Sequence, residues 1–388
     1  MKRLLQIGLD TLLLSIIPII IWNIVGIVFE KNLATVFALT YPVQFVFSTL
    51  HCLFASGANI TAEKRRDKNI VYTNMLVGLL IGIGVLAVFL FYSKQYIIFF
   101  NSDYSVLKNF TIYSMINIFY SYVLRLVLEK LYYEKENKLS NIISISFNVA
   151  SLVLFAILSI VTRNQLITIY GVTITLGIAL TIIFIANIRK FRFTLKLKEN
   201  IEHSSSGIIS CVGLFVTYFI GLHNEFSFGP QYILVSNFIS LTTDTQWDMA
   251  DAINVTTKID ASKNEFNMKQ SLKNAYQYVF LLLVSSLVMA MGLYFLYEPD
   301  IIILLITFGV QIIHLLLYAI YTIRLGYIQT KPNEIKTNFE RNVLIGEALR
   351  TLCAFMHNPY CTYIGQLVSG AYQYTYTKIV SLKVKEIQ

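Results

Sequence analysis

The sequence predicts an all-α polytopic membrane protein of about twelve transmembrane helices, arranged as two six-helix lobes related by a pseudo-twofold along the membrane normal. Three observations lead there. Hydrophobic residues make up 56% of the 388 positions and charged residues only 14%, with a mean hydropathy of +0.62, a balance far from that of a soluble enzyme. Apolar stretches of roughly 20 residues, the length that crosses about 30 Å of hydrocarbon, recur along the whole chain. Finally, Lys and Arg gather in alternate connections, as they do where loops alternate between cytoplasm and exterior.

The first stretch, MKRLLQIGLDTLLLSIIPIIIW, sets Lys2 and Arg3 ahead of an apolar run, as a secretory signal does. The run continues past Pro18 to Phe29 without a small-residue cleavage site, so it reads as the first transmembrane helix, residues 11–29. The next five expected spans are 33–61, 71–93, 110–131, 139–161 and 165–188. Six more follow at 208–223, 230–257, 275–297, 300–325, 343–357 and 361–380, the seventh and eleventh being short or polar.

Charge placement supports this order. With both termini cytoplasmic, the inner segments collect Lys64, Arg65, Arg66 and Lys68, then Arg125, Lys130, Lys135 and Lys138, then Arg189, Lys190, Arg192, Lys196 and Lys198, with similar groups in the second half. Of the 31 basic residues only Lys31, Lys94, Lys108 and Arg163 fall in outer loops, and Arg350 is the one base assigned to neither side. The net charge of +9 therefore faces the cytoplasmic lipid surface, and no nucleic-acid partner is needed to explain it. Abundant Ile, Asn, Lys, Tyr and Phe suggest an AT-rich bacterial genome, which points to the bacterial inner (plasma) membrane.

The basic, then serine-rich connection divides the chain into an N-terminal lobe at 1–190, a cytoplasmic linker at 191–207 and a C-terminal lobe at 208–388. A short repeat agrees: Asn59-Ile60-Thr61 closes the second span and Asn254-Val255-Thr256 closes the eighth, each ahead of a basic loop. Even numbers of spans start both halves on the same side, as in parallel-repeat transporters.

The eighth span carries the main candidate site. Asp244, Asp248 and Asp251 are four and three residues apart, so at about 100° per residue they fall within roughly 60° on one helical face. Carboxylates at membrane depth cost several kcal/mol unless they meet water, a cation or a partner. They read as a proton or sodium site, or as an anionic wall for cationic substrates; the plainer account is water-facing acids near the inner mouth, with Asp251 paired to Lys258. Trp247 offers a cation–π face or an interface anchor. In the second span His51 stands where Gln246 stands in the eighth, and Ser56 where Asp251 stands, so the acidic stripe belongs to one lobe.

Other polar residues are embedded in apolar spans. Glu347 and Arg350 are three apart and can form a salt bridge across one turn, or Arg350 can pair with a helix-8 aspartate and release it when a cation binds. His51, Asn23, Gln311 and His314 are candidate cavity residues, the histidines either proton relays or satisfied packing residues. Arg125 and Glu129, four apart, read as a local pair without chemistry. Gly78 and Gly82 form a small-xxx-small pair for close helix packing, and Tyr372, Tyr374 and Tyr376 spread over several helical faces. Cys52, Cys211, Cys353 and Cys361 show no metal-ligand spacing and read as packing residues. There is no Gly-Lys phosphate loop, no His-Glu-x-x-His and no Gly-x-Ser-x-Gly elbow, so the expectation is a non-enzyme without cofactor or metal.

In its helix count, its Pro-containing first span, its long basic central loop and the way spans 2 and 8 end, FASGANITAEKRRDKN and MADAINVTTKIDASKNEFN, the chain resembles the multidrug and toxic compound extrusion (MATE) family, within the superfamily that includes oligosaccharidyl-lipid and polysaccharide flippases. The resemblance implies a cation-coupled exporter that alternates between inward-open and outward-open states. Many members carry an acid in the first helix, where this chain has Asp10 and Glu30 only at the edges and Trp22 and Asn23 between. Others carry one in the seventh, where 208–223 has none and Glu225 lies just beyond.

These readings combine into a secondary active efflux transporter, an antiporter of protons or sodium ions against small organic, cationic compounds. It is expected to act as a monomer, with membrane lipids as its other partners. A flippase for a lipid-linked oligosaccharide, which needs a basic cavity, is the first rival. A non-transporting membrane scaffold or receptor is the second.

Overall fold

The computed structural model describes residues 16–188, 191–243, 253, 257, 267–328 and 333–386, and among them there are helices and connecting turns but no strand. Helix α1 covers Ile16–Val28, and α2 runs over Lys31–Arg65, opening with a 3-10 turn at Lys31–Thr35 and passing through a π-helical stretch at Cys52–Ser56. Then come α3 (Asn69–Phe91), the short helix Ser93–Phe99, α4 (Tyr104–Tyr133), α5 (Asn137–Thr162) and α6 (Gln165–Asn187). They are followed by α7 (Leu197–Phe226), α8 (230–243), α9 (Met268–Tyr297), α10 (Ile301–Ile328), α11 (Asn333–Ala354) and α12 (Cys361–Glu386).

Eight of these helices, α2 to α7 with α9 and α10, are long and apolar enough to cross a membrane. The described part of α1 is apolar but shorter, while α11 and α12 are long yet carry charges such as Glu347, Arg350 and Lys378. The protein is an integral membrane protein, and α6 shows why. Its one face buries Ile169, Val172, Leu176, Leu180 and Phe184, while Ile174, Ile178, Ile182 and Ile185 on the other face are 58–65% exposed and equally apolar. Only a lipid solvent tolerates a helix that is hydrophobic all round and half uncovered.

Helix starts follow local chemistry. Asp103 opens α4 by accepting from Ser105 N at 2.7 Å, Asn164 opens α6 by accepting from Ile167 N at 3.2 Å, and Asn267 opens α9 by accepting from Gln270 N at 3.1 Å. The seventh helix differs most from expectation. It begins at Leu197, well inside the stretch read as a linker, and ends at Phe226.

The chain divides into two compact units, Ile20–Phe219 on one hand and Ile220–Gln388 with the start of α1 up to Ile19 on the other. In the first unit Trp22 packs among Phe37, Phe110 and Tyr113, and Thr40 and Ser114 share a buried hydrogen bond of 2.7 Å. Gly78 and Gly82 let α3 lie against α4 as their spacing predicts: a Cβ on Gly82 would sit 2.7 Å from the Tyr122 ring, whose hydroxyl donates to Gly78 O at 2.9 Å. At the far end of the same helices Lys130 is almost fully buried, with Glu134 at 2.7 Å, Asn187 at 3.4 Å and the Tyr72 ring beneath it.

The first part of α7 is joined to α2 and α3. Arg65 forms a two-pronged ion pair with Glu199 at 2.8 and 2.9 Å, and Asn200 donates to Asn74 at 2.8 Å in a buried position. The helices touch at Gly57, where a Cβ would stand 2.5 Å from Asn200 O and 2.8 Å from Ser204 Oγ. Backbone cannot yield as a flexible side chain does, so Gly57→Ala is expected to push α2 from α7 and cost about 1–3 kcal/mol. A lowered unfolding midpoint in detergent checks this, and an unchanged midpoint counts against the close contact.

In the second unit Ile253, Val279, Leu315, Ala319 and Ile323 form a buried apolar cluster. Asn224 donates to Ala354 O at 2.7 Å and so ties α7 to the end of α11, while Arg324 donates to Tyr374 O at 3.1 Å and lies over the Tyr374 ring. Tyr372 instead hydrogen-bonds Asn342 and stacks on Tyr376, so these two share one face of α12 while Tyr374 serves another.

Candidate functional site

The acidic stripe of Asp244, Asp248 and Asp251, with Trp247, lies outside the described residues. Around it, Thr242 and Thr243 turn their hydroxyls back to Phe238 O and Ile239 O at 2.9 and 2.8 Å, and Ile253 and Thr257 are buried at 3% exposure.

Four of the remaining candidates come together in the second unit. Glu347 and Arg350 on α11 form the expected ion pair, at 3.3 Å, with relative exposures of 4% and 9%. On α10, Gln311 and His314 are buried to 5% and 4%. Helix α12 holds the two pairs in register through its small residues. A Cβ at Gly365 would meet Arg350 O at 2.8 Å, and one at Gly370 would meet the His314 ring at 2.5 Å, so glycine is what lets the guanidinium helix and the imidazole lie against α12. Gln366, between those glycines, stands against His314, and Arg350 acts on the same ring through its charge. Buried donors and acceptors without partners are rare in folded proteins. In this cluster Gln311 Oε1, Arg350 Nε and Ser369 Oγ have no hydrogen-bond partner among the described residues.

The sequence puts Glu225 just beyond the seventh span because NEFSFGP after His223 reads as a loop. The signal that marks the true end is Gly229 followed by Pro230, with Gly229 at φ +132°, where a left-handed residue and a proline stop a helix. Glu225 is therefore in the last turn of α7, at 1% exposure. Its Oε1 accepts from Thr362 N at 2.8 Å, at the start of α12, where amides lack intrahelical partners and the helix dipole favours negative charge. Cys361 Sγ is 3.9 Å away, and Oε2 has no partner among the described residues. No base forms an ion pair with it there. The seventh helix thus contains an acid in its last turn.

The first unit holds His51 and Asn23 apart from that cluster. Asn23 is half-buried on α1. His51 Nε2 lies 3.5 Å from Glu129 Oε1, so Glu129 turns to the histidine rather than to Arg125, the partner expected from its own helix. Asn59 donates both to Glu129 Oε2 and to its main-chain oxygen, each at 2.9 Å. Cys52 meets Cys211 of α7, and none of the four cysteines forms a disulfide, Cys361 being buried. Among the described residues no cluster of His, Cys, Asp and Glu has the makings of a metal site.

No family profile matches the sequence, and no curated protein matches it. Solved structures do. A multidrug resistance MATE family transporter of the MOP superfamily, in its inward-facing conformation, superposes with a TM-score of 0.71 at 13% identity, over 99% of each chain. The eukaryotic MATE transporter AtDTX14 gives 0.62 at 14% identity, over 98% of this chain and 95% of that one. A MOP superfamily transporter from Pyrococcus furiosus, whose binding pocket is described as having reverse polarity that suggests a different function, gives 0.69 at 12% identity over 99% and 96%. Across nearly its whole length, the chain has the fold of the MATE transporters of the MOP superfamily.

Proposed function

We propose that the protein is a secondary active exporter that exchanges protons or sodium ions for small organic, cationic compounds by alternating access. The reading is carried by Glu225. A carboxylate buried to 1% exposure and joined by no base among the described residues needs a cation, a proton included, to balance its charge. In a protein with the fold of multidrug transporters, a carboxylate with one oxygen still open is a place for a coupling cation to come and go. Most of the described residues lie in long helices, eight of them apolar enough to cross a membrane, and an ion gradient is the source of drive that fits such a chain.

Asp244, Asp248 and Asp251, which follow α8 in the sequence, supply a second group of carboxylates in the same half of the chain, for cation or substrate. The flippase reading needs free positive charge at depth, and the embedded Arg350 is engaged by Glu347. The protein is taken to work as a monomer, without cofactor, in the bacterial inner membrane with both termini in the cytoplasm.

Reconstitution tests this directly. Proteoliposomes under separately imposed proton and sodium gradients are expected to move organic cations such as ethidium, and indifference to both gradients removes the reading. Asp248→Asn is expected to abolish gradient-driven transport at normal expression. A fully active Asp248→Asn protein would show that the stripe has no part in coupling.

A further inference from the structure

The surroundings of His51 join three observations that a packing histidine does not require. First, Glu129 holds α2 on both sides of its π-helical stretch at Cys52–Ser56: Oε1 faces His51 before the stretch at 3.5 Å and Oε2 accepts from Asn59 after it at 2.9 Å. Extra residues in a helical turn recur at functional positions, because they re-aim side chains at the cost of regular hydrogen bonding. Second, the pair is mostly covered but not sealed, with side-chain exposures of 18% for His51 and 26% for Glu129. Third, the helices around it differ sharply in charge. Helix α3, which packs on the π stretch, contains no ionisable group but Tyr72. Helix α4 brings Arg125, exposed and near enough to act on the imidazole by its charge. Cys52 adjoins the ring on α2 and is backed by Cys211 of α7, whose acidic and basic residues are Lys198, Glu199, Glu202 and His203 at its start, toward the Arg65–Glu199 pair, and His223 and Glu225 in its last turn.

We propose that His51 and Glu129 form the proton-binding site of the first unit, which makes the proton, rather than sodium, the coupling ion. This rests on the exporter reading. With the ring neutral and Glu129 ionised the pair carries one net negative charge; a proton from water on His51 Nε2 gives an imidazolium–carboxylate pair of no net charge, and its return to water reverses the step. Imidazole is the side chain whose ordinary titration lies closest to physiological pH, which suits it to taking up and returning a proton. Sodium is a hard ion that collects several oxygen ligands, whereas half of this site is a ring nitrogen and Asn59 presents its amide donor to the carboxylate. Because Glu129 bridges the π stretch, the change in pairing strength acts on the join between the two halves of α2.

Ethidium is the probe, in proteoliposomes of the full-length protein, with two assays run in parallel. Counterflow exchanges ethidium for ethidium without net proton movement, and uphill accumulation is driven by a pH gradient. Wild type is expected to be active in both. H51Q and E129Q are expected to keep counterflow within about twofold and to lose pH-driven accumulation by about tenfold or more, the scale of an ordinary coupling free energy. Retained accumulation in both variants overturns the proposal, as does a wild type that exchanges ethidium but responds only to sodium. If E129Q also loses counterflow, H51Q decides, since it leaves the Asn59–Glu129 bonds in place; loss of counterflow in H51Q too makes the pair structural and overturns the assignment. A wild type silent in both assays overturns the exporter reading itself, a result distinct from failure of the site.

Discussion

Glu225→Gln is expected to abolish gradient-driven export while leaving the protein folded. The amide is nearly isosteric with the carboxylate and keeps the acceptor that takes the Thr362 N–H at 2.8 Å, so the join between α7 and α12 survives. What goes is the negative charge that a coupling cation must meet, and with it a loss of about a hundredfold in transport is expected. Stability is expected to hold or rise, since replacing a buried unpaired charge with a neutral group removes a desolvation penalty. Glu225→Ala separates the two roles. It loses the charge and the cap together, and the missing acceptor should lower stability by about 0.5–2 kcal/mol. Ethidium efflux and thermal unfolding, measured on the same preparations, give both answers, and wild-type flux in Glu225→Gln would sink the assignment.

The parts of this architecture that follow from local pattern were legible in the sequence. Hydropathy finds the spans because a lipid-facing helix must be apolar along its length, and Gly78 and Gly82 announce a close approach because only small residues allow it. The Glu347–Arg350 pair is one turn apart, so its spacing suffices. Glu225 fell outside its span for a different reason. Polar residues at a helix end and polar residues in a loop look alike, and only the Gly229–Pro230 stop distinguishes them. The Glu129–His51 pair was beyond local pattern altogether. Arg125 is the sequence neighbour that spacing favours, but the packing of α4 on α2 decides which partner Glu129 meets. The same holds for Gln366 and His314, which meet because Gly370 lets α12 close on α10.

Arg350→Met should be the most damaging single change to stability, at roughly 3–5 kcal/mol, because it leaves the Glu347 carboxylate buried at 4% exposure without the guanidinium 3.3 Å away. Methionine fills most of the arginine stem's volume, so the loss reports charge rather than a cavity. Removing both charges tells the difference. In Glu347→Gln/Arg350→Met no buried charge is stranded, and replacement of a buried ion pair by neutral groups of similar size is often tolerated, so the double variant is expected to unfold close to wild type. Unfolding midpoints of the two single variants and the double variant complete the cycle. If the double variant is as damaged as Arg350→Met, the arginine matters for more than neutralising Glu347, and the place to look is His314, whose ring lies within reach of the Arg350 charge and against Gly370. A Gly370→Ala protein then becomes the discriminating partner, because a methyl group 2.5 Å from the ring must displace His314 while leaving the Glu347–Arg350 pair on its own helix intact.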